Sequence, residues 1–155
     1  LNQVKYQTEA IKLSKAVDIA IEAFTNKCPS DFEKSHQQHI ILSYTEWKES
    51  AIHPEPQFKN LTSLKFIINN VFTYFQESTG PTVEYFWKRI KEEKLDYQRE
   101  NKMKKILARG KIKGRLEYEY VVDMIIVSEQ VGLTTKRESE KISQMLEEYE
   151  SKYAK

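Results

Sequence analysis

Apolar residues recur at three- and four-residue steps along most of the chain, a pattern that buries one side of a helix and leaves the other in solvent. Val4, Ala10, Ile11, Val17, Ala20, Ile21 and Phe24 form the first such stripe and predict a helix from about Gln3 to Lys27, stopped by Cys28-Pro29. Ser30-Asp31-Phe32-Glu33 reads as a capping box, in which the Ser30 hydroxyl accepts from the Glu33 amide and the Glu33 carboxylate reaches back. A second helix follows, with Phe32, His36, His39, Ile40, Tyr44, Trp47 and Ala51 along one side. It ends at Ile52-His53-Pro54-Glu55-Pro56, where two prolines restrict themselves and the residues before them. Asn60 caps a third helix. Leu61, Leu64, Phe66, Ile67, Ile68, Val71, Phe72, Tyr74 and Phe75 make it apolar around much of its circumference, which places it at the centre of a bundle.

Gly80-Pro81 ends the third helix and opens a fourth, with Pro81 suited to the first helical position. Its first part carries Val83, Phe86, Trp87, Ile90 and Tyr97 on one side. Beyond residue 100 the apolar positions are Met103, Ile106 and Leu107, which at about 100° per residue point roughly 150° away from that stripe. One straight helix cannot present both sets to one core. The helix either breaks near 98–101 or runs on to pack elsewhere, and the reading preferred here is a long fourth helix bridging two parts.

Gly110 and Gly114 bracket a short basic connector. In the following segment Leu116, Tyr118 and Tyr120 alternate as in a strand, so a short β element over 112–122 competes with helix. Tyr118, Val121, Val122 and Ile125 fit helical spacing, and helix is preferred over Arg115–Gln130. Gly132 ends it, Thr135-Lys136-Arg137-Glu138 is a second capping box, and Ile142, Met145, Leu146, Tyr149 and Tyr153 stripe the last helix. The expected fold is all-α: a four-helix bundle-like region over 1–98, a basic hinge over 99–115, and a C-terminal helical hairpin over 116–155.

Composition agrees. The 155 residues are 39% hydrophobic with only four Gly and four Pro, too few for a turn-rich β fold. A lone cysteine, Cys28, closes no intramolecular disulfide. No apolar run approaches the ~20 residues of a membrane span, and no signal stretch opens the chain, so a cytoplasmic protein without a membrane partner is expected.

Charge changes the picture more. The net charge of +2 hides eight basic residues and one acid between Arg99 and Arg115, followed by nine acids and five bases from Leu116 onward. Lys102, Lys105, Arg109, Lys111, Lys113 and Arg115 are candidate anion or nucleic-acid contacts, and Lys91 and Lys94 would extend the stripe along a continuous fourth helix. Matching to the acidic C-terminal helix explains the same charges. No P-loop, helix-turn-helix, zinc-finger or RNA-recognition signature accompanies them.

Glu33, His36 and His39 are three residues apart on one helix, a candidate metal set. Di-metal bundles use Glu-x-x-His from two helices with carboxylates from two more, whereas here the motif occurs once. Half-buried histidines bordering the apolar stripe are the preferred reading, and no cofactor is expected. Tyr85, Tyr97, Tyr118, Tyr120, Tyr149 and Tyr153 exceed what a core of this size needs, a composition favoured at protein interfaces. The function expected is therefore non-enzymatic: an interaction or accessory protein with a protein partner or a second copy of itself. Nucleic-acid binding through the basic segment is the alternative, and a metal-dependent bundle enzyme the third reading.

Overall fold

A computed structural model describes residues 2–153, and every regular element among them is a helix, as the periodicity predicts. These are α1 Asn2–Asn26, α2 Lys34–Ile52, α3 Leu61–Glu77, α4 Pro81–Glu92, α5 Lys102–Arg109, α6 Arg115–Gln130 and α7 Lys136–Tyr153, with a 3₁₀ turn at Pro56–Phe58. None of the described helices is long and apolar enough to cross a membrane. The chain divides into two units, Leu1–Arg99 and Glu100–Lys155.

In the first unit α1 packs on α2, α3 and α4. Its buried positions run from Tyr6 through Leu13, Ala16, Val17 and Ile19 to Phe24 and cover more than half its circumference. Alanines at 10, 16, 20 and 23 keep that arc shallow, so α1 and not the third helix is the centre. The expectation for the third helix is corrected: α3 buries Leu64, Val71, Phe72 and Phe75 on one face, while Phe66 is 69% exposed. Rings fill the space beside α1. Phe24 lies 5.2 Å from Tyr74 and 5.5 Å from Phe75 between centroids, and Phe75 stacks on Phe86 at 3.7 Å. Tyr6 donates its hydroxyl to Ala51 O at 2.8 Å and Tyr44 to Val71 O at 2.7 Å, so these two donors are met, whereas the buried Tyr97 hydroxyl has no hydrogen-bond partner among the described residues.

The capping box expected at Ser30–Glu33 does not form. Phe32 draws the chain into a turn by stacking on Phe24 at 6.1 Å, its amide donating to Pro29 O. Glu33 becomes the N-cap of α2 without a side-chain cap bond. Asn60 does cap α3, its Oδ1 accepting from Ser63 N at 2.8 Å.

The long fourth helix is also corrected. α4 stops at Glu92 in a Schellman motif: Leu95 N donates to Ile90 O at 3.1 Å and Lys94 N to Lys91 O at 3.0 Å. Lys94 takes the left-handed position, φ 54°, usually filled by glycine. Leu95 then packs on the first core, and Arg99 donates to Ser78 O at 2.8 Å near the end of α3. Asn101 opens α5 by accepting from Lys104 N at 3.1 Å.

Within the segment 99–115, residues 102–109 form α5. Met103, Ile106 and Ile112 enter a second core with Val121, Met124, Ile142 and Met145, which uses all three methionines of the chain. Flexible thioethers suit a small core assembled from short helices. The competing strand at 112–122 is absent, since Val121 and Met124 face inward one helical turn apart and Leu116 is 85% exposed. α6 and α7 pack as a hairpin, to which α5 adds a third helix. Gly132, φ 78°, turns the chain between them, and the predicted capping box forms: Glu138 N donates to Thr135 Oγ1 at 3.1 Å and Thr135 N to Glu138 Oε1 at 2.9 Å.

Both tryptophans belong to the first unit, so their fluorescence during urea unfolding reads its stability. Lys94→Gly is expected to raise that stability by about 0.5–1 kcal/mol, because glycine carries no Cβ penalty at positive φ. Phe75→Ala is expected to lower it by about 3–5 kcal/mol through the cavity it leaves. Thr135→Ala should lower the stability of the second unit by about 1 kcal/mol, read by far-UV circular dichroism.

Candidate functional site

The sequence offers two candidate constellations, and the structure treats them differently. Glu33, His36 and His39 are all exposed. Glu33 lies at the N-cap in extended conformation, φ −73° and ψ 159°, so the face-sharing of a helical i, i+3 pair does not apply to it. His36 stacks on Phe32 with centroids 3.8 Å apart. His36 and His39 line a cleft of about 490 Å³ between α2 and α3 with Tyr44, Trp47, Thr73 and Glu77, and Glu33 is not part of it. Among the described residues no three His, Cys, Asp or Glu side chains converge as a ligand set. The half-buried histidines expected from the apolar stripe are likewise corrected to exposed ones, because the first two turns of α2 lie at the edge of the core. Cys28 is half-buried, and burial, helped by Asp31, pushes its thiol up, away from the reactive thiolate.

The basic segment is brought together in part. Lys102, Lys105, Arg109 and Lys113 line one cleft of about 420 Å³ with Ile106, Leu116, Glu117 and Tyr120. On α5 the first three recur at i, i+3 and i+7, one helix face. Glu117 accepts from both terminal nitrogens of Arg109, at 2.5 and 3.1 Å, and from Lys113 N at 2.8 Å. These bonds fix the turn between α5 and α6. The hydrogen bond from Arg109 is the main cause that holds the Glu117 carboxyl below its ordinary range, with Lys113 adding to it. Lys102 lies over the Tyr120 ring, 5.5 Å from its centroid. Lys111 and Arg115 do not line the cleft: the Lys111 carbonyl accepts from Arg109, and Arg115 Nε donates to Glu119 at 3.1 Å. Described ion pairs from Arg109 and Arg115 thus go to α6 and not to the acidic last helix. Lys91 and Lys94 do not share a helix with the basic segment, because α4 ends at Glu92 and α5 begins at Lys102.

A third cleft, of about 590 Å³, was not singled out by the sequence. Glu49, Ser50 and His53 from the end of α2, Pro54, Glu55 and Phe58 from the connection, and Ser63, Phe66 and Ile67 from α3 form its walls. Phe58 is 54% exposed and Phe66 69%. His53 Nδ1–H donates to Glu49 at 2.8 Å, and no Lys or Arg lines the cleft. The tyrosines that suggested an interface are mostly engaged within the fold. Tyr85 donates to Glu22, Tyr97 packs 4.5 Å from Phe72, Tyr118 stacks on Tyr149 at 4.8 Å, and of these six only Tyr153 is exposed.

No protein family, curated protein or solved structure matches the chain.

The Arg109–Glu117 clamp has a pH signature. A carboxylate whose folded pKa is depressed contributes stability that is complete above its ordinary pKa of about 4.3 and is lost as pH falls through the lower folded value. Far-UV circular dichroism of wild type below about pH 4.5 is expected to show more acid sensitivity than Glu117→Gln, with the two curves parallel above it. Identical acid curves would show that the clamp contributes nothing to folding.

Proposed function

We propose that the chain is a non-enzymatic helical binding protein that docks a partner protein in the cleft between the end of α2 and the start of α3. The observation that carries this reading is the exposure of Phe58 and Phe66 on the walls of one concave surface. Large rings left in water cost about 1.5–3 kcal/mol each relative to burial, and a cluster of them in a concavity is the form of an anchor site. The carboxylates of Glu49 and Glu55 give its rim a negative sign that no lining Lys or Arg offsets. A complementary occupant is a protein segment with an apolar anchor flanked by Lys or Arg. The Asn60 cap fixes the start of α3 before any partner arrives.

The test is a peptide array probed with wild type, Phe66→Ala and Glu55→Lys. Peptides combining an aromatic or aliphatic anchor with flanking Lys or Arg are expected to bind, with affinity falling about tenfold or more in either variant. Phe66→Ala should unfold within about 0.5 kcal/mol of wild type, since the ring is exposed. Binding indifferent to both substitutions overturns the reading. Self-association of the wild type that Phe66→Ala abolishes assigns the cleft to a second copy of the chain instead.

A further inference from the structure

The second unit carries a surface of opposite character, and it stands independently of docking at the first. Its 420 Å³ cleft is lined by four cations, Lys102, Lys105, Arg109 and Lys113, and one carboxylate, Glu117, a net of three positive charges along the lining, while outside it Glu100 pairs with Lys102 at 3.6 Å. That carboxylate is already committed to Arg109 and to the Lys113 amide, so it serves to position the cations as well as to offset one of them. Along α5 the row from Lys102 to Arg109 is about 10 Å long at 1.5 Å per residue, a spacing suited to a chain of repeated charges more than to one small anion. Leu116 stands 85% exposed in the same cleft, and Tyr120 lies beneath the Lys102 ammonium.

An apolar wall beside a row of cations fits a ligand that alternates charge with flat apolar faces. A carboxylate-rich peptide supplies the charge without the faces. A duplex supplies the charge but keeps its base faces stacked inside the helix, out of reach of Leu116. We propose that this cleft binds single-stranded nucleic acid, with phosphates against Lys102, Lys105 and Lys113 and a base face against Leu116. Arg109 is held by Glu117 and shapes the floor.

Fluorescence anisotropy of the full chain with labelled oligothymidylate and oligouridylate tests this. Binding is expected at low salt, with log affinity falling against log salt at a slope of about −2 for three phosphate contacts on a single strand. Lys105→Glu combined with Lys113→Glu is expected to cost about tenfold or more and to flatten that slope. Leu116→Ser is expected to weaken binding several-fold while leaving the slope unchanged, since it removes an apolar contact and no charge. Lys104→Glu, on the same helix but outside the cleft, should cost far less than Lys105→Glu. Any one of four results overturns the proposal: no binding of either oligomer at low salt, equal or tighter binding of a duplex, equal loss in Lys104→Glu, or displacement of the strand by polyglutamate at matched charge. Circular dichroism of each variant separates lost binding from lost folding.

Discussion

Three helices pack on the buried arc of α1 because that arc is shallow, with alanines where larger residues would hold neighbours off. Phe24, in the last turn of α1, then sets the positions of the aromatic rings. Tyr74 and Phe75 pack beside it, and Phe86 stacks on Phe75 from α4. Once α3 is committed to this cluster through Leu64, Val71, Phe72 and Phe75, its rotation is fixed. Phe66, two residues from Leu64 and so roughly 200° around the helix, must point away from the core. The anchor proposed for a partner protein is thus a geometric consequence of how α3 seats on α1.

Much of the fold is legible in the sequence because it depends on local periodicity. The helices, the Asn60 cap and the Thr135–Glu138 box all follow from residues within one turn of each other. What is not legible depends on tertiary competition. The end of α4 has no glycine to announce it. Lys94 accepts a left-handed backbone because Leu95 packs on the first core when it does. The 150° offset between the two apolar stripes was readable, but its cause was a break and not a long projecting helix. At Ser30–Glu33 the capping pattern was present, and Phe32 packing on Phe24 overrode it.

The same distinction runs through the candidate sites. Charge clustering in 102–113 survives folding because helical spacing places Lys102, Lys105 and Arg109 on one face and the Arg109–Glu117 clamp brings Lys113 to them. The Glu33–His36–His39 spacing does not survive, because its first member falls outside the helix. Phe58 had no periodic context, and Phe66 looked like a core residue by type alone. Its position opposite Leu64 was the available signal.

Two surfaces of opposite character follow, an acid-rimmed aromatic cleft in one unit and a cationic cleft with an apolar wall in the other. We propose them as separate binding sites for chemically different ligands. Amide chemical-shift mapping of the full chain, titrated in turn with a cationic apolar peptide and a single-stranded oligonucleotide, tests that most directly. The prediction is two disjoint sets of shifted residues, within 49–67 for the peptide and within 102–120 for the oligonucleotide. Shifts from both ligands converging on one set, or on the cleft of His36 and His39, would contradict it.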